Sequence, residues 1–124
     1  MIQESGENYL ETILILHNKT GFVRSIDVAE ELNYSKASVS RAMSILKKEN
    51  LITIEKNGQI LLTKDGEIKA NAIYERHNTI TEFLISSLGL DYEIASTDAC
   101  RIEHIISNET FNRIKNYVNK AGGK

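Results

Sequence analysis

The sequence predicts a mainly α-helical fold with one small β-hairpin, and three observations carry that expectation. Residues 25–47 hold two short amphipathic segments separated by Asn33-Tyr34-Ser35. Residues 51–63 hold two β-rich runs joined by Asn57-Gly58. From Lys64 onward the apolar residues return to helical spacing, and the chain has no proline to interrupt them. Two short helices joined by a tight turn are a helix-turn-helix, and the hairpin directly after them makes it a winged one.

Taken in order, residues 6–18 form an amphipathic helix with Tyr9, Leu10, Ile13, Leu14 and Leu16 apolar. Glu7, Asn8 and Glu11 lie three or four apart, so all three sit on neighbouring parts of one face. Residues 19–24 read as a turn and a short β segment pairing with the wing. Ser25 stands where an N-cap belongs, before an acidic first turn. Ile26, Val28, Ala29 and Leu32 are the apolar residues of the first helix of the pair. Val39, Ala42, Met43, Ile45 and Leu46 are the expected buried stripe of the second. Its exposed positions are Lys36, Ser38, Ser40, Arg41, Ser44 and Lys47. Small hydroxyls and cations suit the base edges and phosphates of a DNA major groove. Ser25, Ser35 and Ala37 flank that face. Asn57-Gly58 predicts a type I′ hairpin turn, which places Lys56 and Asn57 at the wing tip. These eleven residues form the candidate DNA-binding surface, with double-stranded DNA as the partner.

Beyond the wing, Ile68, Ala72, Ile73, Ile80, Phe83, Leu84 and Leu88 make one long stripe ended by Gly89. A further helix is expected from Tyr92 through Ile105. Ser107 is positioned to cap a last helix over about 109–119, which buries Phe111, Ile114, Tyr117 and Val118. Three helices are too few for an independent ligand-binding domain, so their apolar faces are expected to form a symmetric dimer interface. The expected division is a winged DNA-binding domain over 1–70 and a helical dimerisation domain over 71–124.

Totals bound the function further. In 124 residues, 41% are hydrophobic and 26% charged, which supplies a core and a solvated surface. No apolar run approaches a membrane span, and MIQESGENYL lacks the basic and apolar parts of a secretion signal, so a cytoplasmic location is expected. The single cysteine, Cys100, excludes an intramolecular disulfide framework. The net charge of −2 is unevenly spread. Residues 24–64 carry seven cations against five acids, a net +2, whereas residues 1–23 and 65–124 each carry −2. A weakly basic module between acidic flanks fits a DNA reader that gains affinity by dimerising, and it leaves room for a cation.

The acidic C-terminal part contains Cys100-Arg101-Ile102-Glu103-His104. On a helix, positions 100, 103 and 104 share a face, which brings a thiol, a carboxylate and an imidazole together. Those are three ligand types for a divalent transition metal. Ile102 and Ile105 mark the expected buried side, and His77 on the preceding helix can approach across a helix pair. Spacing alone also fits a core cysteine beside a solvated Glu-His pair. No separate nucleophile constellation appears, so no enzymatic activity and no organic substrate are expected.

In order along the chain, several segments carry a wider likeness. They are Glu7-Asn8-Tyr9-Leu10-Glu11, Val23-Arg24, Ile26-Asp27-Val28-Ala29-Glu30, Ser38-Val39-Ser40 and Leu61-Leu62-Thr63-Lys64-Asp65-Gly66. Arg76-His77, Phe83-Leu84, Leu88-Gly89-Leu90-Asp91 and Asp98-Ala99-Cys100-Arg101-Ile102-Glu103-His104 continue it. Through them the chain resembles the DtxR/MntR family of metal-dependent repressors from residue 5 to about 119. The resemblance implies a homodimer that binds Fe²⁺ or Mn²⁺, grips a palindromic operator and represses metal-uptake genes, with Co²⁺ or Zn²⁺ as surrogate ions in vitro. Carried over by position, the family's ligands fall on Asn8, Glu11, His77, Cys100, Glu103 and His104. Such a six-ligand shell leaves little room for a substrate.

The implied ligand set is mixed. Asn8 stands where manganese-type members carry aspartate and iron-type members methionine. Cys100 matches the iron-type cysteine, while Glu11 follows the manganese pattern. Mn²⁺ prefers carboxylate and imidazole, whereas a thiolate favours Fe²⁺, Co²⁺ or Zn²⁺. That tips the expectation slightly to Fe²⁺. An iron-type ancillary site would need an acid and a histidine at Thr81 and Ser96, so no such second site is expected. The SH3-like third domain of iron-type members is also not expected, and the proline that many relatives carry near Lys36-Ala37 is missing. The rival expectation is a winged-helix regulator that has lost metal control, or one that answers to a small molecule or to oxidation of Cys100.

Overall fold

The computed structural model describes residues 4–121, with side chains from Gly6 onward. Among the described residues the helices are α1 (Glu4–Thr20), α2 (Ser25–Leu32), α3 (Lys36–Lys48), α4 (Lys64–Leu88), α5 (Tyr92–Ile102) and α6 (Asn108–Ala121). Strands β1 (Ile52–Ile54) and β2 (Ile60–Leu62) lie between α3 and α4. The chain divides into two compact units, the first ending at Asn71 and the second beginning at Ala72, within α4. The mainly α class with a two-stranded wing is as the periodicities predict. Among the described residues no helix is long and apolar enough to cross a membrane.

The first unit is built on α1. Leu10 and Ile13 of that helix are fully buried against Val28 of α2, Val39, Met43 and Leu46 of α3, and Ile52 and Ile60 of the hairpin. Val39, Met43 and Leu46 recur at i, i+4 and i+7, which is the α3 stripe. Ile45 falls about 100° off that stripe at 100° per residue, so it is 54% exposed and not part of the buried set. Ile26 is likewise exposed. Asn33 ends α2 in the left-handed region (φ 57°), where a short polar side chain is tolerated, and this turns the chain within three residues. Tyr34 in that turn meets buried Tyr9 of α1 edge to face, with ring centroids 5.9 Å apart. Burial, and then the neighbouring Tyr34, push the Tyr9 phenol above its usual pKa.

Ser35 caps α3: its Oγ accepts from the Ser38 backbone N–H at 3.1 Å. Ser35→Ala is expected to lower stability by about 1 kcal/mol, the usual value of a serine N-cap. Urea unfolding of the DNA-free protein measures this, and an unchanged midpoint would mean the cap contributes nothing.

Three local expectations are corrected. Ser25 is not the α2 cap. Arg24 holds that position, because Asp27 reaches back to accept its backbone N–H at 2.9 Å. Residues 21–24 form no strand. α1 runs on to Thr20, and Val23 contributes only one ladder-like bond, its carbonyl accepting from Ile60 N–H at 2.7 Å. Nor is the wing turn type I′, which needs positive φ at both central residues. Ile54 pairs with Ile60, Gly58 N–H donates to Glu55 O, and Gly58 has φ 88°. Asn57 is not among the residues with positive φ. The loop is a β-turn over 55–58 closed by a left-handed glycine, and Asn57 Oδ1 instead accepts from Gln59 N–H.

In the second unit, Ile80 and Leu84 of α4 pack with Ala95 and Ala99 of α5 and Phe111 of α6. Gly89 (φ 69°) ends α4, and Asp91 caps α5 by accepting from Ile94 N–H at 3.0 Å. α5 stops at Ile102, not Ile105. The Ile105 N–H turns back to Ile102 O, and Ile105 is 68% exposed, so it does not mark a buried side. Ser107 caps α6 as its position predicts, accepting from Thr110 N–H at 3.1 Å. Of the expected α6 core residues only Phe111 is buried. Ile114 and Val118 are half-buried, and exposed Tyr117 meets Phe83 edge to face. Of the α4 stripe, Ile68, Ala72 and Leu88 are exposed.

Candidate metal centre and nucleic-acid face

The second unit gathers four of the six candidate ligands. His77 lies on α4 and Cys100 in the last turn of α5. Glu103 is the α5 C-cap, and His104 follows it. Although α5 ends at Ile102, Glu103 keeps helical angles (φ −58°, ψ −26°), so the spacing expected of a continuous helix survives. The turn is held from two sides by Arg76, beside His77 on α4. Its Nη1 donates to the Glu103 carbonyl at 3.0 Å, and its Nη2 donates to Asn108 Oδ1 at the start of α6. The guanidinium also lies over the Phe111 ring, 5.2 Å from its centroid.

Glu103 is 1% exposed. Its Oε2 lies 3.3 Å from His77 Nδ1 and its Oε1 3.3 Å from His104 Nε2. Donor atoms of Cys100, Glu103 and His104 all fall within 4.8 Å of one another. An ion about 2.0–2.3 Å from nitrogen, oxygen and sulfur ligands spaces neighbouring donors by roughly 3 Å and opposed ones by about 4–4.5 Å. The separations fit that pattern. So does the chemistry, because a buried carboxylate facing imidazole nitrogens and a thiol offers one hard, one borderline and one soft donor.

Asn8 and Glu11 belong to the first unit, on α1. Glu11 is buried and Asn8 half-buried, three residues apart, and Thr12 Oγ1 donates to the Asn8 carbonyl at 2.9 Å. Thr81 and Ser96, the positions without an ancillary acid and histidine, both touch His77. Thr81 Oγ1 donates to the His77 carbonyl at 2.7 Å, and Ser96 Oγ is hydrogen-bonded to His77 Nε2 at 3.2 Å. Sequence reasoning missed Ser96, Arg76 and Asn108 as parts of this arrangement. A neutral hydroxyl nineteen residues from its histidine leaves no periodic signal.

The candidate DNA face is distributed as its periodicity requires. Lys36, Ala37, Ser38, Ser40, Arg41, Ser44 and Lys47 are exposed along α3, as are Ser35 before it and Lys56 and Asn57 in the wing loop. Ser25 is half-buried and lines, with Ile26, Lys36 and Ser40, a cleft of about 200 Å³ at the α2–α3 corner. Some hydroxyls are already engaged. Ser44 Oγ donates to Ser40 O, and Ser35 Oγ to Ser38 Oγ.

Residues 1–60 match the model of the iron dependent repressor N-terminal DNA binding domain. Residues 63–122 match that of the iron dependent repressor metal binding and dimerisation domain. An uncharacterized HTH-type transcriptional regulator of Methanocaldococcus jannaschii is 32% identical over 99% of both chains. The transcriptional regulator MntR of Escherichia coli O6:H1 is 33% identical over 98% of this chain and 78% of its own. The solved structure of the manganese regulator SloR superposes with a TM-score of 0.81 at 28% identity, covering 96% of this chain. The chain spans only about half of that protein, 54%. With both halves matched in order and a thiol and an imidazole gathered around a buried carboxylate in the second, the chain belongs to the DtxR/MntR family of metal-dependent, DNA-binding transcriptional repressors.

Proposed function

We propose that this protein is an Fe²⁺- or Mn²⁺-responsive repressor of metal-uptake genes that acts in the cytoplasm as a homodimer on a palindromic operator. The observation that carries the metal reading is the Glu103 carboxylate, buried between His77 and His104 with the Cys100 thiol beside them. By resemblance, Asn8 and Glu11 of α1 complete the ligand set. A bound divalent ion would supply a cross-link between ligands contributed by two parts of the chain. In this reading the domains are the winged unit over 1–70 and the helical unit over 71–124.

What the chain's own residues do follows from their chemistry. Cys100 as thiolate favours Fe²⁺ over Mn²⁺, and Glu11 and Glu103 keep both within reach. Asn8 contributes an amide oxygen without charge, which lowers affinity relative to a carboxylate. Exposed Leu88, Tyr92, Ile94 and Ile105 of the second unit supply apolar surface for a two-fold interface. In the dimer, two α3 helices spaced about 34 Å apart would enter successive major grooves, with Arg41 and Lys36 toward bases and phosphates. Metal then acts by shifting the population toward that spacing.

The test is fluorescence anisotropy with a promoter fragment from the protein's own locus. It is run anaerobically at fixed salt, without metal and then with Fe²⁺, Mn²⁺, Co²⁺ or Zn²⁺. Tight binding only with metal is expected, with Fe²⁺ at least equal to Mn²⁺. Equal binding with and without metal would overturn the reading in favour of a regulator that has lost metal control, with Asn8 as the altered ligand.

A further inference from the structure

Ser96 stands where an iron-type ancillary site would need a histidine, and its hydroxyl lies 3.2 Å from His77 Nε2. The opposite ring nitrogen, Nδ1, is buried and 3.3 Å from Glu103 Oε2. An imidazole can ligate only through a nitrogen that carries a lone pair, and the group bonded to its other nitrogen decides which one that is. We propose that Ser96 is the positioning residue for His77: it orients the ring with Nδ1 toward Glu103 and accepts the Nε2–H, so that Nδ1 is the ligating atom. The inference deepens the metal reading above and rests on it.

Several features of the site favour this assignment. The ring plane is fixed at two points across α4 and α5, and Ser96 lies on α5 one helical turn before Cys100, so both follow the same helix axis. Thr81 also touches His77, but its Oγ1 donates to the main-chain carbonyl and not to the ring. A serine hydroxyl rotates freely and both donates and accepts. It therefore holds the ring in one orientation whether the proton sits on Nδ1 or on Nε2, which an ionised, acceptor-only carboxylate at position 96 would not do. This separates the position from a missing ligand. Its hydroxyl acts on the ring and not on the ion.

Ser96→Ala removes the contact, and Ser96→Thr restores a hydroxyl. The ring nitrogens of His77 are read by ¹H–¹⁵N correlation spectra in metal-free protein and after loading with Zn²⁺, and affinity is read by Co²⁺ titration. Wild type and Ser96→Thr are expected to show one His77 ring orientation without metal, with Nε2 protonated once Zn²⁺ is bound. Ser96→Ala is expected to show exchange-broadened His77 ring signals without metal. Its Co²⁺ affinity should fall about 10- to 100-fold, the usual effect of losing a ligand's hydrogen-bond partner. Identical His77 spectra in metal-free wild type and Ser96→Ala overturn the proposal whether or not metal binds. Absence of Co²⁺ binding to wild type, with the Ser96→Ala ring change intact, overturns the metal reading instead and leaves Ser96 as the residue that orients the ring.

Discussion

Glu103→Gln is expected to abolish the metal response of DNA binding while leaving the fold in place. The substitution keeps the volume of a side chain that is 1% exposed, so no cavity opens. The Arg76 clamp reaches the Glu103 main-chain carbonyl, not its carboxylate, so the turn between α5 and α6 stays pinned. What is lost is the negative charge and one of the two oxygens facing His77 and His104. Loss of a ligand's outer partner costs about 10–100-fold in metal affinity, and loss of this central carboxylate should exceed that. Co²⁺ titration should show a drop greater than about 100-fold, and metal should no longer raise operator anisotropy. Cys100→Ala and His104→Ala are expected to lose the response in the same way with the fold intact. A metal response unchanged in all three would remove Glu103 and its neighbours from the site.

The parts of this molecule that were legible in the sequence are those in which one side chain acts through a repeating geometry. The α3 stripe through Val39, Met43 and Leu46, the cap at Ser107 and the stop at Gly89 each follow from local spacing and are found in the structure. The positions that misled are those where two local rules compete. Asn57-Gly58 satisfies a type I′ turn by composition, but the register that buries Ile52 and Ile60 pairs Ile54 with Ile60 and lengthens the loop. Ser25 is a good cap by type, but Asp27 reaches Arg24 first. Ile45 and Ile105 are apolar by type and exposed in fact, because each falls off the buried side of its own segment.

The candidate site divides in the same way. Cys100, Glu103 and His104 were legible because three and four residues along a helix is a distance the sequence states directly. His77 was legible as chemistry but not as a contact, since no local rule says which helix it meets. The contacts that Arg76, Ser96 and Asn108 make here were not legible. Each works by reaching a neighbouring element, and Arg76 does so toward a backbone carbonyl, which carries no residue identity. Third-party contacts of that kind are fixed by packing angles that follow only once the second-unit core of Ile80, Leu84, Ala95, Ala99 and Phe111 has formed.

Gly66→Ala is expected to destabilise the first unit, against the ordinary helix preference. Gly66 lies in the first turn of α4 and has no positive φ, so its backbone does not require glycine. In a solvent-facing helix the change would be favourable by up to about 1 kcal/mol. Here a Cβ would stand 1.9 Å from the Leu51 carbonyl oxygen, and that oxygen cannot retreat cheaply. It accepts from Thr63 N–H at 3.0 Å, while the Leu51 N–H is bonded to Leu46 O at the end of α3. Thr63 is itself tied, its Oγ1 donating to Asn50 O and accepting from Gly66 N–H. Relief therefore means moving the start of α4 away from the junction of α3 and β1, which opens the core around Leu46 and Ile52. Overpacking of this kind costs about 1–3 kcal/mol, and the backbone partner places it at the upper end. A net loss of about 2–3 kcal/mol in urea unfolding of the DNA-free protein is expected. A variant as stable as wild type, or more so, would show that α4 can slide past Leu51, and the rigid junction between recognition helix, wing and long helix would have to be given up.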